Sequence, residues 1–209
     1  MTARYLRFSD RLRRRFGCRV RRVPLDGGFT CPTRDGSKGE GGCLFCDGRG
    51  ASPAGPRLPV RLQLLRGIER ARGGGAERFI AYFQPFTGTY APPAELGRLY
   101  AEGTDHPDVV GLAIGTRPDC AGEDALDAIA PFAARLETWV EYGLQSSHDD
   151  TLRRVGRGHT AADFADAARR TARRGIGVCA HVILGLPGET DEMMRETARF
   201  LGSLPVGAV

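Results

Sequence analysis

Lysine is almost missing from this chain. Lys38 stands alone, and every other cationic side chain is an arginine. Such usage suggests a GC-rich coding genome, and it inflates any arginine count taken as a sign of phosphate binding. Long apolar runs are missing too, which excludes a membrane-spanning helix. No hydrophobic signal segment opens the sequence, so a reducing, cytoplasmic compartment is expected. Six cysteines in 209 residues are too sparse for a disulfide framework in a chain able to bury a good core. A second C-x2-C or an H-x3-H pair is absent, so a closed four-ligand zinc site lacks its second half. Neither a G-x-G-x-x-G opening the first helix nor a P-loop lysine is present, which argues against a doubly wound nucleotide-binding sheet.

What is present is concentrated in one loop. Cys31, Cys43 and Cys46 read C-x11-C-x2-C, directly after a strand-like run, with Gly36, Gly39, Gly41 and Gly42 between the first and second. Two cysteines two residues apart grip one metal centre from a single turn, and the glycine-rich loop delivers a third thiolate. Three ligands leave a coordination position open for chemistry. A four-iron cluster held by three thiolates likewise has one iron free for a substrate. The competing reading is a structural zinc that recruits Cys18 or a distant histidine. Cys18, Cys120 and Cys179 fall singly and read as small buried apolar residues.

The net charge of +5 is modest, but residues 1 to 22 carry Arg4, Arg7, Arg11, Arg13, Arg14, Arg15, Arg19, Arg21 and Arg22 against Asp10 alone. That cluster suits RNA phosphates. It is equally a solvated, weakly amphipathic helix with Tyr5, Leu6, Phe8 and Leu12 packed on the body. Residues 1–19 are therefore read as a basic segment packed on the core, and residues 20–209 as the main domain.

From Val20 onward, strand-like runs alternate with helical stretches about every 30 residues, the size of a strand–helix unit. The strands are expected at Val20–Leu25, Arg78–Gln84, Val109–Gly115, Thr138–Leu144 and Gly177–Gly185. Helices are expected near Leu62–Arg72, Pro93–Glu102, Glu123–Leu136, Ala161–Arg174 and Glu189–Leu201. Five such units predict an α/β fold, a partial TIM-type barrel of parallel strands. Reactive residues then belong at the C-terminal strand ends, where the cysteine loop and four polar or glycine-rich loops fall. The closing run, Leu204 to Val209, reads as the entrance to a sixth strand, so the barrel is expected to be a truncated one.

Taken together, these strings resemble a known family. Gly28-Phe29-Thr30-Cys31-Pro32 through Gly42-Cys43-Leu44-Phe45-Cys46 is similar to the cluster loop of radical S-adenosylmethionine (SAM) enzymes. Ala81-Tyr82-Phe83-Gln84, Gly115-Thr116-Arg117-Pro118-Asp119-Cys120, Gly143-Leu144-Gln145-Ser146, Arg157-Gly158-His159 and Gly185-Leu186-Pro187-Gly188-Glu189-Thr190 follow in order. They resemble the YhcC-like branch, whose core is of the Elongator catalytic subunit type. The first cysteine gap of eleven, longer than in most of the superfamily, is shared with that branch. Phe83-Gln84-Pro85 stands where most relatives carry Gly-Gly-Glu, and His181 where many carry an acid.

The resemblance implies that Cys31, Cys43 and Cys46 hold three irons of a [4Fe–4S] cluster and that the open iron binds SAM. A low-potential electron donor then drives reductive cleavage to a 5′-deoxyadenosyl radical, which abstracts hydrogen from a substrate. Phe45 would pack against cluster and adenine, and Gln84, Glu141 and Gln145 would contact the SAM amino group or ribose. Arg157, twelve residues after Gln145, would pair with the SAM carboxylate, and Gly185 and Gly188 would let the backbone approach the adenine. Kinship with RNA-modifying members implies RNA as partner, docked by the basic N-terminal segment. From the residues alone, Glu141 is also an ion-pair partner for a barrel arginine, and Arg157 a member of a solvated arginine face. Arg117 and Asp119 either form an internal salt bridge or face substrate. The alternative function is a non-catalytic zinc- or cluster-stapled module that binds nucleic acid.

Overall fold

Strands whose side chains are apolar on both faces need cover on both sides, and a parallel sheet wrapped by helices supplies it. The computed structural model describes residues 5–50, 52 and 56–209. Arg4, counted above in the basic segment, lies outside them. Strands β1 (Val20–Leu25), β2 (Arg78–Phe83), β3 (Val109–Thr116), β4 (Glu137–Gln145) and β5 (Gly177–Val182) form one sheet in chain order. Every neighbouring pair is parallel. The α/β partial barrel expected from the alternation is the fold observed. Near the last residues, Ala208 bridges Cys179 of β5 in parallel, with Ala180 N–H donating to the Ala208 carbonyl at 2.9 Å.

Helices α1 (Phe8–Phe16), α2 (Val60–Gly73), α3 (Pro93–Thr104), α4 (Glu123–Ala133), α5 (Asp149–Arg154), α6 (Ala161–Arg173) and α7 (Asp191–Gly202) complete the order. Phe79, Ala81 and Phe83 of β2 join the main core with Leu64 and Ile68 of α2 and Leu96 and Tyr100 of α3. The alternate residues Ile80 and Tyr82 point to the other face. There they meet Leu12, Phe8 and Phe16 of α1 in a second cluster. One helix thus lies against the sheet face opposite the main core.

Several boundaries differ from expectation. The sequence places α4 out to Leu136, but Pro131 sits inside it and the helix ends at Ala133, since a proline interior removes a backbone donor. The fifth strand stops at Val182, before the turn containing Gly185. Helix α5, only six residues long, was not anticipated. Thr160 caps α6 through a capping box with Asp163, which fixes where the chain re-enters the helix layer after passing the strand ends.

Part of the basic segment is spent on buried acids. Arg11 and Arg15 both pair with Glu137, the buried first residue of β4. Trp139 Nε1 donates to the same carboxylate at 2.9 Å. Arg11 lies 4.9 Å over the Trp139 ring, and Phe8 meets that ring edge-on at 6.0 Å. Arg22 on β1 reaches Glu141 with both nitrogens, at 2.6 and 3.0 Å. These three arginines are thus engaged with buried acids, while Arg13, Arg14, Arg19 and Arg21 are exposed.

Candidate cofactor-binding site

The loop after β1 is shaped by its own backbone before any ligand is considered. Cys46 N–H donates to the Cys43 carbonyl at 3.0 Å, closing the C-x2-C turn. Gly42 N–H reaches the Thr33 carbonyl at 2.9 Å, and Leu44 N–H reaches the Val155 carbonyl at 3.0 Å, fastening the loop to the end of α5. Gly42 holds φ at +80°, and a Cβ there would sit 2.8 Å from Arg34 Nε. Arg34 in turn donates to the carbonyls of Asp47 at 2.5 Å and Gly48 at 3.3 Å. The three cysteines thereby border one cavity of about 510 Å³ at the C-terminal ends of the strands, a size that suits a small-molecule cofactor.

Eight of the ten residues singled out in the sequence line that cavity: Cys31, Cys43, Cys46, Phe45, Gln84, Glu141, Gln145 and Arg157. Phe45 is half-exposed, while Glu141, Gln145 and Arg157 are buried. Gln145 holds a positive φ of 73° beside a register shift between β4 and β5. Bulges and strained backbone of this kind re-aim a side chain at a strand end. Gly185 and Gly188 do not line the cavity. Gly185 N–H is taken by Met194 Sδ at 3.2 Å, and the space beside Gly188 is filled by the Arg154 guanidinium, which donates to the Pro187 carbonyl.

Arg157 is the best anchored of these side chains. Nη1 donates to Cys43 Sγ at 3.5 Å, Nη2 to the Gly143 carbonyl at 2.7 Å, and Nε to His159 Nε2 at 2.9 Å. His159 Nδ1 lies 3.2 Å from the Thr160 carbonyl, so the proton belongs on Nδ1 and Nε2 accepts. Burial and then the Arg157 charge push the His159 pKa down to about 4, which keeps that lone pair available. A solvated arginine face is thus Arg153 and Arg154, not Arg157.

Glu141 sits beneath the cavity. Burial favours its neutral form, but His181 Nε2 at 3.0 Å and the Arg22 charge outweigh that and hold the carboxyl below the usual range. Arg117 and Asp119 do form an internal salt bridge, and Arg117 also lines the cavity. His159, His181 and Arg22 were not read as site residues.

Three thiols of one loop bordering one cavity are a donor set that would suit a cluster with one iron open. Burial would raise the Cys31 pKa, but the hydroxyls of Thr33 (3.2 Å) and Thr87, with the Arg117 charge, bring it below its ordinary value. A tetrahedral zinc holds its sulfurs about 3.8 Å apart. Among the described residues the one His/Cys/acid trio whose ligand atoms lie within 4.8 Å of one another is Glu141, Cys179 and His181, so at least one pair of the three loop sulfurs lies farther apart than that. Glu141 in that trio is already paired with Arg22. Cys120 and Cys179 are pushed up to about 11 and about 12, chiefly by burial, as suits packing residues rather than ligands.

Known proteins agree with this arrangement. Residues 37–201 match the Radical SAM superfamily. The chain is 39% identical to the uncharacterized protein YtqA of Bacillus subtilis over 212 residues, 99% of this chain and 65% of that one. It is 40% identical to YhcC of Escherichia coli K12 over 184 residues, 87% of this chain and 59% of that one. A shorter match, 34% identical over 110 residues, covers 53% of this chain and 23% of a tRNA uridine(34) acetyltransferase of Dehalococcoides mccartyi. The solved structure of Elp3 from Methanocaldococcus infernus superposes with a TM-score of 0.63 at 20% identity, covering 86% of this chain and 41% of that chain, a likeness of fold. The chain thus spans less than two thirds of the length of YtqA and YhcC, and no described helix is long and apolar enough to cross a membrane. It belongs to the radical SAM superfamily, in the YhcC-like branch.

Proposed function

We propose that this protein is a radical SAM enzyme in which Cys31, Cys43 and Cys46 hold a [4Fe–4S] cluster with one iron left open to SAM. The observation that carries the reading is the gathering of three cysteines and Gln84, Gln145 and Arg157 around one cavity at the strand ends. When bound, the cluster and SAM supply one-electron cleavage to a 5′-deoxyadenosyl radical, with the electron coming from a low-potential donor.

The chain's own residues have definable tasks. Arg157 donates to the Cys43 sulfur and offers its remaining Nη1 hydrogen to the SAM carboxylate. Its Nε hydrogen and one Nη2 hydrogen are taken by His159 and the Gly143 carbonyl. Gln145 and Gln84 orient the amino group and ribose. Glu141, neutralised by Arg22 and His181, sets a polar floor without adding free charge. Phe45 covers the open side of the cavity and excludes water from it. The six free thiols suit the cytoplasm.

RNA is the substrate class we assign, on the strength of the tRNA-directed activity named for the shorter match. Its contact surface would exclude Arg11, Arg15 and Arg22. The test is anaerobic reconstitution with iron and sulfide, followed by SAM and a reductant. Formation of 5′-deoxyadenosine is expected; stoichiometric zinc with intact SAM would instead favour a stapled binding module.

A further inference from the structure

The largest fully buried side chain in the molecule is a charged one. Arg117, at the end of β3, is 1% exposed. Its Nε and Nη2 donate to Oδ1 and Oδ2 of Asp119, each at 3.0 Å. Lys38 also donates to Asp119 Oδ2, at 2.5 Å. Two cations thus share one carboxylate, which leaves one positive charge in surplus. Arg117 Nη1 is buried and has no hydrogen-bond partner among the described residues, and the residue lines the same cavity as Cys31.

The surroundings do not supply an acceptor. The nearby hydroxyls of Thr89 and Thr116 bond to each other at 2.6 Å, and Thr89 also donates to the Cys120 carbonyl at 2.8 Å. Cys31 Sγ is engaged with Thr33 Oγ1 at 3.2 Å. The other cavity guanidinium, Arg157, is a donor at Nε, Nη1 and Nη2 and offers no acceptor. A desolvated guanidinium N–H without an acceptor is unfavourable. A carboxylate or phosphate oxygen satisfies both the donor and the surplus charge.

We propose that Arg117 Nη1 receives an anionic oxygen, carboxylate or phosphate, of the molecule that fills the cavity. This rests on the radical SAM reading and adds to it the charge class of the bound ligand. The oxygen comes either from the carboxylate of SAM or from the second substrate.

The experiment uses the full chain, reconstituted anaerobically. Iron and sulfide content is read first, and that result alone decides the cluster reading, with or without Arg117. Binding of three probes is then measured by calorimetry on wild type and on Arg117→Gln and Arg117→Lys: SAM, decarboxylated SAM, and inorganic phosphate in the presence of SAM. If SAM is the source, Arg117→Gln lowers the affinity for SAM at least about tenfold and leaves that for decarboxylated SAM unchanged, the preference that remains belonging to Arg157. If the second substrate is the source, SAM binding is unchanged while phosphate binding falls at least about tenfold. In both cases Arg117→Lys retains part of the affinity. Should Arg117→Gln fail to fold, Lys38→Gln, whose side chain is 44% exposed, weakens the same probe more than about twofold by removing the surplus charge. Unchanged binding of both anionic probes in the variants overturns the proposal. So does a wild-type protein that fails to discriminate the two SAM forms and binds phosphate no tighter than about 10 mM.

Discussion

Arg157 and Cys43 are joined by a buried hydrogen bond from guanidinium to sulfur, 3.5 Å long. The same guanidinium holds the Gly143 carbonyl and His159. One side chain therefore ties together the cysteine loop, the end of β4 and the segment entering α6, and it couples a cluster ligand to the cavity wall.

Removing that tie separates binding from assembly. Arg157→Ala is expected to weaken SAM binding by about ten- to a hundredfold, the worth of one hydrogen bond to a charged group, while the iron content stays near wild type. Calorimetry with SAM checks it. Wild-type affinity in the variant would show that Arg157 braces the loop without touching SAM.

Gly143 is the close approach that makes room for this guanidinium. A Cβ there would lie 2.5 Å from Arg157 Nη2 and 2.6 Å from Gln145 Nε2. Gly143→Ala should cost about 1–3 kcal/mol by overpacking and lower SAM affinity together with stability. Urea unfolding and SAM titration measure the two. A variant as stable as wild type with unaltered SAM binding would mean the two side chains swing clear without consequence.

Buried His159 gives the apo protein a pH dependence of known sign. Its folded pKa of about 4 lies below the unfolded value near 6.5. The unfolded state therefore takes up the proton first, and the stability present above pH 6.5 is lost as pH falls toward 4. Between pH 7.5 and pH 5 the loss is about 2 kcal/mol. His159→Gln, which keeps an acceptor for Arg157, should remove that increment from urea curves taken at the two pH values. Identical pH slopes for the two proteins would refute the assignment.

Docking of α1 can be followed through Trp139, the single tryptophan. Glu137→Gln breaks the pairs with Arg11 and Arg15 and should destabilise by about 1–3 kcal/mol, with a red-shifted, more quenchable tryptophan emission. Unchanged emission and stability would place the hold on α1 in Phe8 and Leu12 alone.

Much of this was legible in the sequence because it rests on local signals. Apolar runs such as Arg78-Phe79-Ile80-Ala81-Tyr82-Phe83 announce elements without tertiary help, and the cysteine spacing announces the rim where strand ends meet. What was not legible depends on register across the sheet. That Arg11, Arg15 and Arg22 face Glu137 and Glu141 follows from which strand face α1 covers, and a one-residue change of register would turn every such side chain outward. Gly185 and Gly188 illustrate another limit. A positive-φ glycine suits a turn as well as a ligand approach; Gly185 N–H is taken by Met194 Sδ, and the Arg154 guanidinium fills the space beside Gly188. Arg117 was placed in a salt bridge or at the cavity as alternatives; its side chain is long enough to do both.

The central claim is one open iron beside three loop thiolates, and low-temperature electron paramagnetic resonance of the reduced, reconstituted protein tests it most directly. The account predicts a [4Fe–4S] signal whose shape changes when SAM is added, and its loss in Cys43→Ala. A signal indifferent to SAM, or a full cluster in the Cys43→Ala protein, would contradict it.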